Sequence, residues 1–91
     1  MAKKEKKTIL LKIAGQEKLF FEGAVDFVMI PALDGDIGVV PEHAPFISPL
    51  REGRIDIRQG EDLQQFHVKA GFVEVSLNHV HILVHSSSEI E

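Results

Sequence analysis

Histidine is the residue type in this sequence best suited to chemistry. Three of the five copies lie close together, His79, His81 and His85, in the stretch Asn78-His79-Val80-His81-Ile82-Leu83-Val84-His85. On an extended chain alternate side chains share a face, so these imidazoles line one face with Leu83 while Val80, Ile82 and Val84 fill the other. Two imidazoles two residues apart on a strand can reach one metal ion; the other reading of the same face is a polar surface turned to solvent or to a partner. His67, between Phe66 and Val68, reads as an ordinary strand residue. Other chemistries lack their residues. None of Ser48, Ser76, Ser86, Ser87 and Ser88 stands in G-x-S-x-G, and G-x-x-x-x-G-K-[ST] does not occur. Cysteine is absent, which excludes thiolate chemistry and a disulfide framework. Carboxylates are plentiful but fall mostly on turns, where acids are normally solvated.

A second set of polar residues is carried by the segment from Gly35 to Leu50, which packs two glycines and three prolines into sixteen residues. Pro41, Pro45 and Pro49 disfavour a helix interior or a central strand because each lacks a backbone donor, while Gly35 and Gly38 permit backbone angles that other residues resist. The segment is expected to be a bent, irregular loop held down by Val39, Val40, Phe46, Ile47 and Leu50. It would lift Asp36, Glu42 and His43 off a rigid scaffold as a recognition surface.

The scaffold is legible as period-2 alternation. Thr8–Ala14 places Ile9, Leu11 and Ile13 on one face; Lys18–Phe21 is a short apolar run closed by Glu22-Gly23; Ala24–Ile30 stops at Pro31. After the loop, Gly53–Arg58 turns Ile55 and Ile57 one way. Gln59-Gly60-Glu61-Asp62 makes a hairpin connection, and Leu63–Ala70 alternates through Phe66 and Val68. Phe72–Leu77 places Val73, Val75 and Leu77 on one face, and Val80–His85 is the last strand after a tight connection at Asn78-His79. No helical stripe of useful length interrupts them. The pattern predicts an all-β fold, an antiparallel β-sandwich of about ten short strands. Ile55, Ile57, Val73, Val75, Val80, Ile82 and Val84 are its expected core.

Ninety-one residues form one domain, and at this size a chain buries roughly 60–65% of its unfolded surface. Residues 1–7 are read as a solvated basic leader, 8–85 as the sandwich and 86–91 as an unpacked polar tail. The net charge of −4 conceals an asymmetry. Without the leader's four lysines and one glutamate, six basic residues face thirteen acidic ones, a net −7. An acidic body argues against nucleic acid as a partner. No apolar run approaches the roughly 20 residues that span a bilayer, so membrane insertion is not expected and an intracellular setting is favoured.

Two family resemblances follow from these residues. The histidine spacing is similar to the H-x-H of cupins, metal-binding β-barrels. That pattern requires a Glu four or five residues after the second His, and neither it nor the pattern's glycine- and proline-rich second half is present. A small metal-dependent barrel using His79, His81 and His85 is therefore the runner-up, and no metal or other cofactor is expected. The stronger resemblance begins at Asp34-Gly35-Asp36-Ile37-Gly38-Val39-Val40-Pro41-Glu42-His43-Ala44-Pro45, which closely resembles the E-G-x-x-G-x-x-P-x-H-A-P stretch of the epsilon subunit of F-type ATP synthases. Glu17–Gly23, Leu50 with Gly53, Gly71–Val75 and Asn78–Leu83 look like that family's flanking strands in the right order, so the match runs from about Ile9 to Val84. Glu42 stands where the family usually has Gly, Ala32 where Gly is common, and Ala70 where the first of two glycines is usual; each fits if its backbone keeps φ below zero.

The resemblance implies a β-sandwich and a non-catalytic part of the rotor. It would bind the gamma subunit, rest on the c-subunit ring and couple ion-driven rotation to ATP synthesis at the cytoplasmic face of a bacterial plasma membrane. Asp36, Glu42, His43, Ala44 and Pro45 are the contact residues it implies. The family generally carries a helical hairpin after this domain, where this sequence has only Ser86–Glu91. A naturally short subunit and a longer one cut after its sandwich are both compatible, and no ATP binding is expected of this stretch.

Overall fold

The computed structural model describes residues 7–85 and 90–91. Branched aliphatic residues alternating with polar ones form nine strands among these residues. They are β1 (Ile9–Ala14), β2 (Leu19–Val25), β3 (Phe27–Ala32), β4 (Gly35–Val39), β5 (Phe46–Leu50), β6 (Gly53–Gln59), β7 (Asp62–Val68), β8 (Gly71–Ser76) and β9 (His79–Leu83). All belong to one sheet in the order β2-β1-β9-β8-β5-β3-β6-β7, with β4 paired to β3. The sheet curls until its two ends meet. Phe21 of β2 and Phe66 of β7 pack edge to face with ring centroids 6.4 Å apart, and the Gln59 amide of β6 donates to the Ala24 carbonyl of β2 at 2.7 Å. The inward faces enclose one core, which makes the architecture a β-sandwich.

All seven expected core residues are buried, and Ile9, Leu11, Ile13, Val28, Ile30 and Val68 join them. No polar or charged residue is buried among the described residues. Each fully buried Val or Ile contributes on the order of 1.5–3 kcal/mol of transfer free energy, so strand parity decides what this sheet encloses.

Several boundaries differ from the sequence reading. The 35–50 segment is not irregular throughout. It forms β4, a turn over residues 40–45, and β5. Proline costs a strand only its own N–H: the Pro49 carbonyl in β5 still accepts from the Leu33 amide, and the Pro31 carbonyl in β3 accepts from the Arg51 amide, both at 3.0 Å. Val39 and Leu50 anchor the segment, whereas Val40 and Ile47 are exposed, because they fall on the outward parity. The first half divides at Asp26, not at Gly23: Gly60 N–H donates to the Asp26 carboxylate at 2.6 Å, and Asp26 N–H donates to the Arg58 carbonyl at 2.8 Å. Leu77 leaves the face of Val73 and Val75 and is exposed in the β8–β9 turn.

One pairing is not antiparallel. β1 runs parallel to β9, with Leu11 opposite Val80 and Ile13 opposite Ile82. Alternation reports that one face is polar, not which way the neighbouring strand runs. The tail reading also needs correction where the tail is described. Ile90 is buried and bridges Val68, while Glu91 and His67 exchange two backbone hydrogen bonds of 2.8 and 2.9 Å. The leader to Lys6 and residues 86–89 of the tail lie outside the described residues.

Val75 is 2% exposed between Phe46 and Val80. Val75→Asp forces an unpaired carboxylate into an aliphatic interior, a cost of several kcal/mol against a small net stability. The variant is expected to lose its cooperative melt by circular dichroism; an unchanged midpoint would refute the strand parity.

Candidate functional site

The expected contact residues lie at the two ends of β4. That strand pairs antiparallel with β3 from Val28–Val39 to Ala32–Gly35, so its position follows from the tight hairpin at Leu33-Asp34. Gly38 lets the Phe27 ring lie across β4, where a Cβ would stand 3.0 Å from a ring carbon.

At the hairpin end, Asp36 points outward, its side chain 60% exposed. It is not an unpartnered acid, because the Arg51 guanidinium donates to its carboxylate. Arg51 sits at the bend between β5 and β6, where its amide is held by the Pro31 carbonyl opposite Asp36. Beside this pair, residues 32–37 and 46–49 line an open cleft of about 400 Å³.

At the other end is the 40–45 turn. The Glu42 amide donates to Asn78 Oδ1 at 2.9 Å, and Lys7 Nζ donates to Glu42 Oε1 at 2.8 Å. His43 Nδ1 lies 2.7 Å from the Ala44 carbonyl, and its ring leans on Phe46 with centroids 5.7 Å apart. Ala44 and Pro45 are exposed. Between the two ends, the three residues 37–39 alone span about 10 Å. Asp36 and His43 therefore do not form one cluster. The structure divides the five expected residues into Asp36 with Arg51, and 42–45 with Lys7 and Asn78.

Lys7, Arg51 and Asn78 were missed by the sequence reading. Their contacts bridge 15 to 36 positions along the chain, and no local pattern encodes them. Only Asn78 carried a signal, as a residue type that favours tight turns. Glu42 also departs from expectation. Its φ is 68°, in the left-handed region that costs a residue with a Cβ about 1–2 kcal/mol, whereas Ala32 and Ala70 keep φ below zero as expected.

The histidines of β9 share a polar row on the outer face. His79 stands between Leu10 and Ser76, and His81 between Lys12 and Glu74. His81 Nε2 is covered and lacks a hydrogen-bond partner, and His85 lies beyond the end of the strand. Among the described residues no three His, Asp or Glu side chains come close enough to hold a metal ion. The metal-dependent alternative has no assembled centre here.

Relief of the left-handed conformation gives a stability test. Glu42→Gly removes about 1–2 kcal/mol of backbone strain and forfeits an exposed ion pair worth about 0–1 kcal/mol. A net rise in Tm of a few degrees is expected in thermal melts. A fall in Tm would show that the Lys7 contact outweighs the strain.

Comparison with known proteins addresses the whole strand region. The family model for the ATP synthase delta/epsilon chain β-sandwich domain matches residues 8–89. An ATP synthase epsilon chain of Leptospira borgpetersenii serovar Hardjo-bovis is 38% identical over 73 residues, 80% of this chain and 58% of that one. That of Desulforamulus reducens is 34% identical over 85 residues, covering 93% and 64%. That of Caulobacter vibrioides is 35% identical over 77 residues, covering 85% and 90%. The chain thus spans about three fifths of the length of the first two relatives. In fold it matches a chain in the Euglena gracilis mitochondrial ATP synthase OSCP/F1/c-ring structure with TM-score 0.81 at 21% identity, covering 92% of this chain and 54% of that one. A chain in the Tetrahymena thermophila mitochondrial ATP synthase central stalk/c-ring structure matches with TM-score 0.73 at 16% identity, covering 97% and 69%. The chain belongs to the ATP synthase delta/epsilon chain family, of which it carries the β-sandwich domain.

Proposed function

We propose that this domain is a non-catalytic rotor element of an F-type ATP synthase. It binds the gamma subunit, rests on the c-subunit ring, and couples ion-driven rotation to ATP synthesis as a peripheral part of the complex at the cytoplasmic face of a bacterial plasma membrane. Family membership over nearly the whole chain supports the assignment, and the structural neighbours come from ATP synthase assemblies containing a c ring. No helix among the described residues is long and apolar enough to cross a membrane, so in this reading attachment is through protein partners.

The observation that carries the proposal is the placement of the motif residues. Asp36 and most of the 40–45 turn are exposed, with Pro41 and His43 half-buried, and each end makes a contact distant in sequence. A part that transmits torque needs contact groups on a stiff body. Here a continuous hydrogen-bonded sheet supplies the body, and residues that take no share in the core supply the contacts. Asp36, Glu42, His43, Ala44 and Pro45 are the proposed contact residues, and the outward histidines serve as surface groups.

The Asp36–Arg51 pair shapes the test. Asp36→Arg alone sets two guanidinium groups side by side and should lower stability by no more than about 1 kcal/mol, since the pair is exposed. The double variant Asp36→Arg with Arg51→Asp restores the internal pair while presenting the opposite charge to a partner. If Asp36 meets a partner, the double variant melts like the wild type and still pumps protons poorly in the reconstituted complex, because like charges across an interface cost several kcal/mol. Full recovery of pumping would make the pair a structural contact only.

A further inference from the structure

We infer that Asn78 is a positioning residue that sets the shape of the 40–45 turn, and with it the placement of His43, through the single hydrogen bond it accepts from the Glu42 amide; its bearing on partner binding rests on the contact role proposed for that turn. Within the turn, the prolines fix only their own φ and the His43 Nδ1–Ala44 carbonyl contact at 2.7 Å joins neighbours beyond Glu42, so neither holds Glu42 in place. Pro41 and Pro45 contribute no backbone donor, and Glu42 sits at φ 68°, a conformation its Cβ resists. The Lys7–Glu42 ion pair cannot fix it, because both side chains are more than half exposed and such pairs give up most of their attraction to solvent and side-chain entropy.

Asn78 is well placed for the task. Its side chain accepts the Glu42 N–H at 2.9 Å. Its own backbone is fixed from three strands: it lies between Ser76 and His79, which pair across the β8–β9 turn; His79 lies opposite Leu10 of β1; and the Asn78 carbonyl accepts the Leu10 N–H at 2.9 Å. With φ at 62° Asn78 is itself left-handed, and Asn is one of the few residues with a side chain that enters this region readily. One amide oxygen, held by the sheet, thus holds a left-handed Glu42. The next residue, His43, is thereby kept against Phe46 at 5.7 Å. Released from Asn78, Glu42 would relax toward negative φ and the imidazole would leave its place.

Two substitutions separate the hydrogen bond from the backbone. Asn78→Gly keeps the left-handed conformation and deletes the acceptor; Asn78→Asp keeps an acceptor oxygen and tolerates the same φ. Thermal melts serve as the folding control. Amide hydrogen exchange of Glu42, followed by NMR on the chain, reads the latch directly, and binding to a purified gamma–c-ring stalk reads its consequence. The expected result is exchange of the Glu42 amide roughly three- to tenfold faster in Asn78→Gly, on the scale of one lost neutral hydrogen bond. Weaker stalk binding should accompany it, with both restored in Asn78→Asp. Unchanged Glu42 exchange in Asn78→Gly overturns the inference whatever binding does. Faster exchange, rescued by Asp, with unchanged stalk binding supports the latch and instead removes the contact role proposed for the turn.

Discussion

The interior of this domain is aliphatic throughout. Ile9, Leu11, Ile13, Val28, Ile30, Ile55, Ile57, Val73, Val80 and Ile82 are each at most 1% exposed, and no polar side chain is buried with them among the described residues. That uniformity governs the rest of the structure. A core without polar atoms offers nothing directional to specify pairing, so register must come from the alternation of the strands, where a slip of one residue would turn every aliphatic side chain outward. Among the described residues, the polar side chains lie on the outer face or at the strand ends, which is where Asp36, Glu42, His43 and the β9 histidines are found.

Closing such a core in a small chain requires the sheet's ends to be joined. β1 and β9, the first and last strands among the described residues, lie side by side and parallel. The far edges meet through Phe21 and Phe66, and Ile90 covers the end of β7 by bridging Val68. These are contacts between residues far apart in sequence, and they make the sheet one continuous body. Stiffness follows from connectivity, since no strand can move without breaking ladder hydrogen bonds on at least one side.

What was legible in the sequence and what was not divide along the same line. Parity is local, and Ile55, Ile57, Val73, Val75, Val80, Ile82 and Val84 could be placed inward by it. The twelve-residue motif around the turn was local as well and led to the family. Direction, edges and partners are not local. The parallel β1–β9 pair, the packing of Ile90, and the contacts of Asp36 with Arg51 and of Glu42 with Asn78 each depend on the closed sheet bringing distant segments together. The prolines misled for a different reason. Proline lacks a donor, but Pro31 and Pro49 stand where their carbonyls are the groups that matter. Glu42 misled because a carboxylate side chain gives no warning of a left-handed backbone.

β4 joins these threads. Among the described residues it pairs only with β3, which makes it an edge, and an exposed edge invites unwanted strand pairing. Its five residues include Gly35, Gly38 and the charged Asp36, and a short, glycine-containing, charged strand is a poor template for another chain. The features that protect the edge also suit it to specific contact. Asp36 faces outward, where a charge discourages pairing, and it meets Arg51 there without either charge being buried. At the far end, the Glu42 amide in the turn that follows the strand is hydrogen-bonded to Asn78, and His43 is the next residue. One edge strand thus separates the two proposed contact points by about a strand length. In the proposed role, a spacing of that kind would let the domain meet two surfaces at once, as a joint between a stalk and a ring requires.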